Sequence, residues 1–261
     1  MSEKVMQRRK WQMTIALFII IAITYLSAAI TNFNFMDGLA AFPSAIGWMF
    51  SNMLITQEAL EKLPTIVEKL NETIFMSIAA TTTAAIVSIF LGLMGSKTTS
   101  INSFVSTFAR FIASVSRNIP VVAWALILLL SFGQNSLTGY LALFVGTVGF
   151  LTRAFIESID EASQSGVEAL TATGATYFHI INKAVIPQSL PQMLSWILFM
   201  IETNIRSATL VGILTGTGIG YTFDMYYKSM NYDVVALITL SIVIAVIIIE
   251  LISNYIRKVI M

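Results

Sequence analysis

The chain has 261 residues, of which 56% are hydrophobic and only 11% charged, and its mean hydropathy is +0.81. Soluble domains carry about 25% charged residues, so a bilayer is the expected solvent for this much apolar surface. The formal net charge of +1 gives no reason to expect a nucleic-acid partner, and the absence of cysteine excludes disulfides and thiolate metal sites. The single histidine, His179, lacks the partners that a zinc site needs.

Six stretches are long and apolar enough to cross a bilayer, which takes about 20 mainly apolar residues. They lie at 13–30, 73–95, 105–132, 137–156, 189–214 and 234–256. The first follows basic residues and ends in Ser-Ala-Ala, as a secretory signal does. Because five more spans follow it, we expect an uncleaved first helix. The prediction is an all-α polytopic membrane protein with about six transmembrane helices.

A shorter apolar stretch at 41–55 contains Pro43 and Gly47, and we expect it to be interfacial or partly inserted. The basic residues support six spans rather than seven. With six spans, eleven of the 15 Lys and Arg residues are cytoplasmic, three are outside and Arg206 lies within a span. Both termini are then predicted to be cytoplasmic.

The segment GLMGSKTTS at 92–100 superficially resembles a phosphate-binding loop. That loop needs four residues between its glycines and a lysine directly after the second one. Here only two residues separate Gly92 from Gly95, and Ser96 comes between Gly95 and Lys97. We therefore predict no nucleotide site in this chain.

A half-polar stretch at 168–187 lies in the longest predicted cytoplasmic connection. Its apolar or small residues recur at 167, 170, 174, 175, 178 and 181, which predicts one short amphipathic helix over about 166–183. Pro187 and Pro191 are expected to limit helix continuity after it. The helix could lie on the lipid surface, or it could dock on a cytoplasmic partner whose surface approaches Gly174 closely.

The fifth span contains two ionisable residues, Glu202 and Arg206, four positions apart on one helix face that Thr209 continues. A lone charge at the bilayer centre costs ~3 kcal/mol on insertion scales, so the two are expected to pair. Two compatible interpretations remain. The pair could pin the span to a neighbouring helix, or its face could line a water-filled path in which Arg206 binds an oxyanion.

After this span, the sequence TGTGIGY at 215–221 is rich in glycine, which permits positive φ and close backbone packing. It could be a plain loop, or a gate at which two copies of the chain meet. It is a poor nucleotide motif because no strand precedes it and its spacing differs from G-x-G-x-x-G.

The stretch at 168–187 resembles the Glu-Ala-Ala signature of permeases from binding-protein-dependent ABC importers. Glu168, Ala169, Gly174 and Pro187 stand at the positions of that signature. The departures are Leu170, Ala184 and Ile186, which are all apolar. In such permeases this segment is the coupling helix that fits a groove of the ATPase subunit. The coupling residues implied here are Glu168, Ala169, Gly174, Ala175, Phe178 and Pro187.

Within that superfamily, residues 60–258 resemble phosphonate-type permeases, which have a Glu-x-Asn-x-Arg-x-Ala-Thr run and then a Gly-Ile-Gly turn. The run here reads Glu202, Asn204, Arg206, Ala208 and Thr209. The resemblance implies a translocation path on Glu202, Asn204, Arg206 and Thr209, and a gate at Gly216, Gly218 and Gly220.

The resemblance further implies a type I ABC importer permease fold, with one permease domain over 1–261. In it, residues 1–71 form the first span and an external loop, and residues 72–258 form the core. The expected location is the plasma membrane of a prokaryote. The expected partners are a cytoplasmic ATPase dimer, a second permease chain, identical or homologous, and an extracytoplasmic substrate-binding protein. ATP and Mg²⁺ would be bound by the ATPase and no cofactor by this chain.

Other function classes fit the sequence less well. An intramembrane enzyme would need a nucleophile or a metal cluster facing the membrane interior, but the only histidine is in a predicted cytoplasmic helix, there is no cysteine, and the two carboxylates within the membrane are on different spans. A lone channel or secondary carrier often contains internal repeats, and none is recognisable here. An ABC permease for another small solute, such as methionine, stays open as the alternative.

Overall fold

The computed structural model describes residues 2–260, with the side chains of all of these except residues 2–4 and 162–164. The described chain is built from helices and contains no strand. It forms two compact units, one ending at Asn52 and one beginning at Met53.

The first unit consists of α1 (Ser2–Ile30) and α2 (Phe35–Asn52). Beyond the charged residues Arg8, Arg9 and Lys10, α1 is mostly apolar on all sides, and no residue from Val5 to Ile30 is buried, as expected of a helix in contact with lipid. The side-chain oxygen of Asn34 caps α2 by accepting from the backbone amides of Met36 and Asp37 at 3.1 and 3.4 Å. This cap explains why α2 begins six residues before the predicted interfacial stretch.

The second unit contains nine α-helices among the described residues. They are α3 (Gln57–Leu60), α4 (Leu63–Gly95), α5 (Ser103–Asn118), α6 (Val121–Phe132), α7 (Ser136–Ala172), α8 (Tyr177–Ile180), α9 (Ile186–Thr215), α10 (Gly218–Lys228) and α11 (Tyr232–Ile260). A π-helical turn, Ile181–Val185, joins α8 to α9. The predicted boundary between residues 71 and 72 falls inside α4, and the second compact unit begins at Met53.

Small side chains bring the central helices of this unit together. Ala80 of α4, Ala125 of α6, Ala142 of α7 and Ala208 of α9 are fully or almost fully buried in one cluster. Small residues at helix contacts let backbones approach closely, and in lipid the resulting packing contributes strongly to helix association. The bundle is therefore centred on α4, α7 and α9.

The predicted third span is not one straight helix. α5 and α6 meet at an angle of 92°. Pro120 has no amide hydrogen to continue α5, and the preceding Ile119 is extended, with φ −91° and ψ 122°. In the described part of the chain, five helices are long and apolar enough to cross a membrane, or six if the bent pair counts as one span.

Two sets of contacts define opposite ends of the second unit. We call one end the glycine end. There the Thr73 hydroxyl accepts from the amide of Ile219 and donates to the carbonyl of Lys69 in its own helix. At the same end, the Gln134 side chain donates to the carbonyl of Leu214. At the other end, the Gly95 backbone lies against Ile156. Because α7 continues for more than a dozen residues beyond Ile156, its last turns project from this second end, which we call the coupling end.

Candidate functional site

The segment predicted to be one helix over 166–183 is interrupted in the structure. α7 continues through Ala172, and Gly174 then adopts a left-handed conformation with φ +75°. The amide of Ala175 donates to the carbonyl of Leu170, and that of Gly174 to the carbonyl of Thr171. These two bonds form a Schellman motif, which ends a helix at a glycine. The prediction of a single amphipathic helix is therefore wrong, because Gly174 is a helix cap.

The helical path resumes at Tyr177 and is not broken at the prolines, contrary to the sequence prediction. Pro187 is the second residue of α9, and Pro191 lies inside that helix. Proline removes a backbone donor and its ring crowds the carbonyl four residues earlier. The π-helical turn directly before Pro187 widens the backbone at the place where that crowding arises.

The α7–α8 turn is held to the rest of the bundle from beneath. Ile159, Ile181 and Val185 form a buried cluster against Leu93, and the Tyr177 hydroxyl donates to the carbonyl of Thr99 at 2.9 Å. These contacts tie the turn to the end of α4. A movement of the turn is therefore expected to displace α4 and α7 as well.

The outer surface of the turn has the predicted coupling residues. No atom lies within 4 Å of the position that a Cβ of Gly174 would occupy. The Phe178 side chain is 76% exposed and stacks edge-on against Tyr177. Glu168 and Ala169 are also exposed, and Ala175 is half-buried. The structure thus brings five of the six predicted coupling residues to one end of α7 and α8, and Pro187 lies further along the chain.

Sequence reasoning missed Asp160, which organises the coupling end. Its Oδ1 accepts from Ser96 Oγ at 2.5 Å, from the Lys97 amide at 2.8 Å and from Thr98. Its Oδ2 lies 3.5 Å from Arg110 Nη2. The segment that superficially resembled a phosphate-binding loop therefore binds a carboxylate of its own chain. The serine and threonine run after α4 was the available signal for this.

The charged pair predicted in the fifth span is present in α9. Arg206 Nη1 donates to Glu202 Oε1 at 2.8 Å. The Glu202 side chain is 10% exposed, whereas that of Arg206 is 47% exposed. A buried carboxylate is costly unless it is paired. The pair satisfies Glu202 and leaves the Arg206 guanidinium partly exposed on the surface of α9.

A second arginine, in the last turns of α11, approaches the same carboxylate. Arg257 Nη2 of α11 lies 3.7 Å from Glu202 Oε2 and also donates to Asn254 Oδ1. One carboxylate thus faces two guanidinium groups, and the group of three side chains has an excess positive charge. Such an excess favours an anionic ligand.

Asn204 lies on a different face of α9 from Glu202 and Arg206. It is 3% exposed, and its amide donates to Thr81 of α4 and Thr147 of α7 at 2.8 and 2.7 Å. Two residues along a helix turn the side chain by about 200°, which explains the separation. Thr209 follows Arg206 along the helix and is half-buried. The structure therefore separates Asn204 from the other three residues of the predicted path.

The three predicted gate glycines form a tightly packed turn between α9 and α10. Gly216 and Gly218 have φ +71° and +62°, which favours glycine at both positions. A Cβ at Gly218 would meet the Thr73 hydroxyl, and one at Gly220 would meet the Thr209 carbonyl. Gly218 and Gly220 are buried within their own chain, and only Gly216 is partly exposed. The glycines therefore allow α10 to pack closely on α9 and α4.

Comparisons with known proteins agree with this architecture. Residues 84–260 match the family described as binding-protein-dependent transport system inner membrane component. The chain is 31% identical over 192 residues to the phosphite transport system permease protein PtxC of Stutzerimonas stutzeri, covering 74% of this chain and 70% of that protein. It is 27% identical over 187 residues to the phosphate-import permease protein PhnE of Mycolicibacterium smegmatis, covering 72% of this chain but only 35% of that longer protein.

Among solved structures, the methionine ABC transporter MetNI in an inward-facing conformation is similar in fold. The TM-score is 0.69 at 20% sequence identity, and the match covers 79% of this chain and all of that one. At 20% sequence identity, this similarity establishes the fold and does not identify the transported solute. The family match, which covers more than half of the chain, and this fold together show that the chain belongs to the inner-membrane permease subunits of binding-protein-dependent ABC importers.

Proposed function

We propose that this permease subunit carries a phosphorus oxyanion, of the phosphonate, phosphite or phosphate class, through a path that includes the exposed face of Arg206. The observation that carries the proposal is the pairing of one buried carboxylate, Glu202, with two arginines. Because Glu202 neutralises only one of the two positive charges, an anion is attracted without being held by a bare cationic cluster. Weak binding suits a transporter, which has to release its solute.

The chemistry of arginine supports an oxyanion as the solute. Its planar guanidinium can donate two parallel hydrogen bonds to oxygens of a phosphate-like group. The two relatives compared above are named for phosphite and phosphate import, which are both phosphorus oxyanions. A zwitterionic amino acid such as methionine would not call for an excess of arginine in the same way.

The proposed drive comes from outside the chain. A dimer of cytoplasmic ATPases, which would bind the ATP and Mg²⁺, docks on the exposed surface around Gly174 and Phe178. A second permease chain completes the path, and a binding protein delivers the solute at the glycine end. In this arrangement both termini and the coupling end are cytoplasmic. ATP-dependent movement of the α7–α8 turn biases the bundle between two states.

The test uses the complete importer, with its ATPase and binding protein, in proteoliposomes. Replacing Arg206 by glutamine removes a charged hydrogen bond worth about 1.5–3 kcal/mol, so uptake of methylphosphonate or phosphite should fall about 10- to 150-fold. Arg206→Lys keeps the charge and should retain an intermediate rate. Stimulation of ATP hydrolysis by the binding protein should survive both changes.

Two outcomes would contradict the proposal. One is unchanged phosphite and methylphosphonate uptake by Arg206→Gln. The other is ATP-driven uptake of methionine, but of none of the phosphorus oxyanions, by the unaltered importer. A failure of assembly in Arg206→Gln, seen as loss of the copurifying ATPase, would instead assign the Glu202–Arg206 pair a structural role.

A further inference from the structure

We propose that the cavity between α5 and α7 is a second binding site for a phosphorus oxyanion, built on Arg110, Arg117 and Arg153. The cavity has a volume of about 250 Å³ and is also lined by Ser114 and Asn118. Its ligand is either the soluble anion on its passage or the headgroup phosphate of an anionic phospholipid. The proposal rests on the proposed function only for the first of these two sources.

The charges around the cavity do not balance. Arg153 Nε pairs with Glu157 Oε1 at 2.6 Å, and Arg110 Nη2 lies 3.5 Å from Asp160 Oδ2. Arg117 has no ion pair or hydrogen-bond partner among the side chains that the structure describes. Three guanidinium groups thus face two carboxylates, and one positive charge is left for a ligand.

Hydrogen-bonding capacity is also left over at this site. Arg110 Nη2 is buried and has no hydrogen-bond acceptor among the described residues, although Asp160 Oδ2 lies 3.5 Å away. That neighbour, Asp160, already accepts bonds from three residues of the segment after α4. Buried donors are normally satisfied, so the guanidinium of Arg110, a residue that lines the cavity, has a donor for which the described chain provides no acceptor.

The break between α5 and α6 places Arg117 at the cavity. Gly149 of α7 has no side chain, and a Cβ there would meet the backbone of Arg117, so the last turn of α5 lies directly against α7. Gly149 is thirteen residues from Ser136, or about 20 Å along α7. Ile156, which marks the coupling end, is also a lining residue, so the cavity lies toward that end of the bundle.

Arg117 also connects this cavity to α9. It lines a second cavity of about 300 Å³, whose wall includes Thr147, Thr203 and Ser207. The Thr203 hydroxyl is buried without a partner. The positive end of the α6 helix dipole reaches the same wall at Val121, which adds to the attraction for an anion. Arg117 therefore lines two cavities, one against α7 and one that reaches α9.

The test measures how fast p-hydroxyphenylglyoxal modifies individual arginines of the purified chain in nanodiscs, with mass spectrometry as the readout. In phosphatidylcholine alone, methylphosphonate or phosphite should slow the modification of Arg117 at least threefold relative to chloride at equal ionic strength. Arg8, which is exposed on α1, is the matched control and should react at the same rate with and without the anion.

A second arm replaces part of the phosphatidylcholine with phosphatidylglycerol and omits the soluble anion. Slower modification of Arg117 in this arm alone assigns the site to the lipid headgroup, and in the first arm alone to the soluble anion. Either result supports the proposal. An Arg117 whose modification rate responds to neither, or which does not react even in neutral lipid without anion, overturns it.

Arg206 is followed in the same spectra, which separates this inference from the proposed function. Protection of Arg117 without protection of Arg206 would support the second site and count against the proposed path. The reverse result would leave the path intact and remove the second site.

Discussion

Replacing Gly174 by tryptophan should abolish ATP-driven uptake while leaving the chain folded and inserted. Gly174 has φ +75°, and a side chain in the left-handed region costs roughly 1–2 kcal/mol. Nothing lies within 4 Å of the added Cβ, so tryptophan creates no clash inside the chain. The expected loss of stability is therefore small, and a complete loss of uptake would have to come from a partner surface that the indole keeps away.

Gly133 provides the matched control at the opposite end of the bundle. It has φ +72°, is exposed and likewise has nothing within 4 Å of its Cβ position. Its ψ of −174° lies in a region that essentially only glycine occupies, so Gly133→Trp should lower the melting temperature at least as much as Gly174→Trp. Gly174→Asn should restore part of the uptake, because asparagine tolerates the left-handed conformation and is small.

The assay combines proteoliposome uptake, copurification of the ATPase and thermal unfolding for the four proteins. We expect Gly174→Trp alone to lose both uptake and the ATPase. Normal uptake by Gly174→Trp would refute the docking argument. Loss of uptake to the same extent in Gly174→Trp and Gly133→Trp would show that backbone strain is the cause and not a blocked interface.

Three further changes test the packing and the charges. In chemical denaturation, Asp160→Asn should lower the free energy of unfolding by about 1–2 kcal/mol, because it weakens several charge-assisted hydrogen bonds. The control Glu157→Gln removes only an exposed ion pair and should change this free energy by less than about 0.5 kcal/mol. Gly220→Ala should destabilise the protein by about 1–3 kcal/mol or more, because its methyl group meets the Thr209 carbonyl. Gly47→Ala, whose methyl group has no neighbour within 4 Å, should not destabilise it, and equal melting temperatures for the two variants would contradict this argument. Glu202→Gln should lower the melting temperature by leaving two arginines without their carboxylate, and an unaltered value would show that the ion pairs contribute nothing to the fold.

Much of the fold could be predicted from the sequence because apolar length decides where a chain crosses a bilayer. The structure has a helix at five of the six predicted spans and a bent pair of helices at the third, and the comparisons confirm the family and the fold class. The ends of the helices were harder to predict. Extensions such as the start of α4 at Leu63 involve residues that are too polar to be read as part of a span.

The sequence analysis failed at places where local geometry overrides composition. Gly174 fits a helical spacing, but two backbone bonds make it the end of α7. The sharp turn at Pro120 was missed because residues 105–132 were read as one apolar stretch, although the polar Arg117 and Asn118 precede the proline. Pro187 was expected to interrupt a helix, and a π-helical turn accommodates it.

The candidate site was only partly predictable, because pairing within one helix follows from spacing and pairing between helices does not. Glu202 and Arg206 are four residues apart, and their bond was predicted and is present. Arg257 reaches the same carboxylate from another helix, 55 residues further along the chain, and a single sequence contains no signal for that contact.

The central claim is that a phosphorus oxyanion passes the Arg206 face of a bundle that an external ATPase moves through the Gly174 turn. The most direct measurement is an electron cryomicroscopy structure of the complete importer, trapped during turnover with methylphosphonate. We predict phosphorus density within hydrogen-bonding reach of the Arg206 guanidinium and the Gly174 turn seated in the ATPase. Density for the anion on a path that never meets Arg206, or a Gly174 turn on the side of the binding protein, would contradict the account.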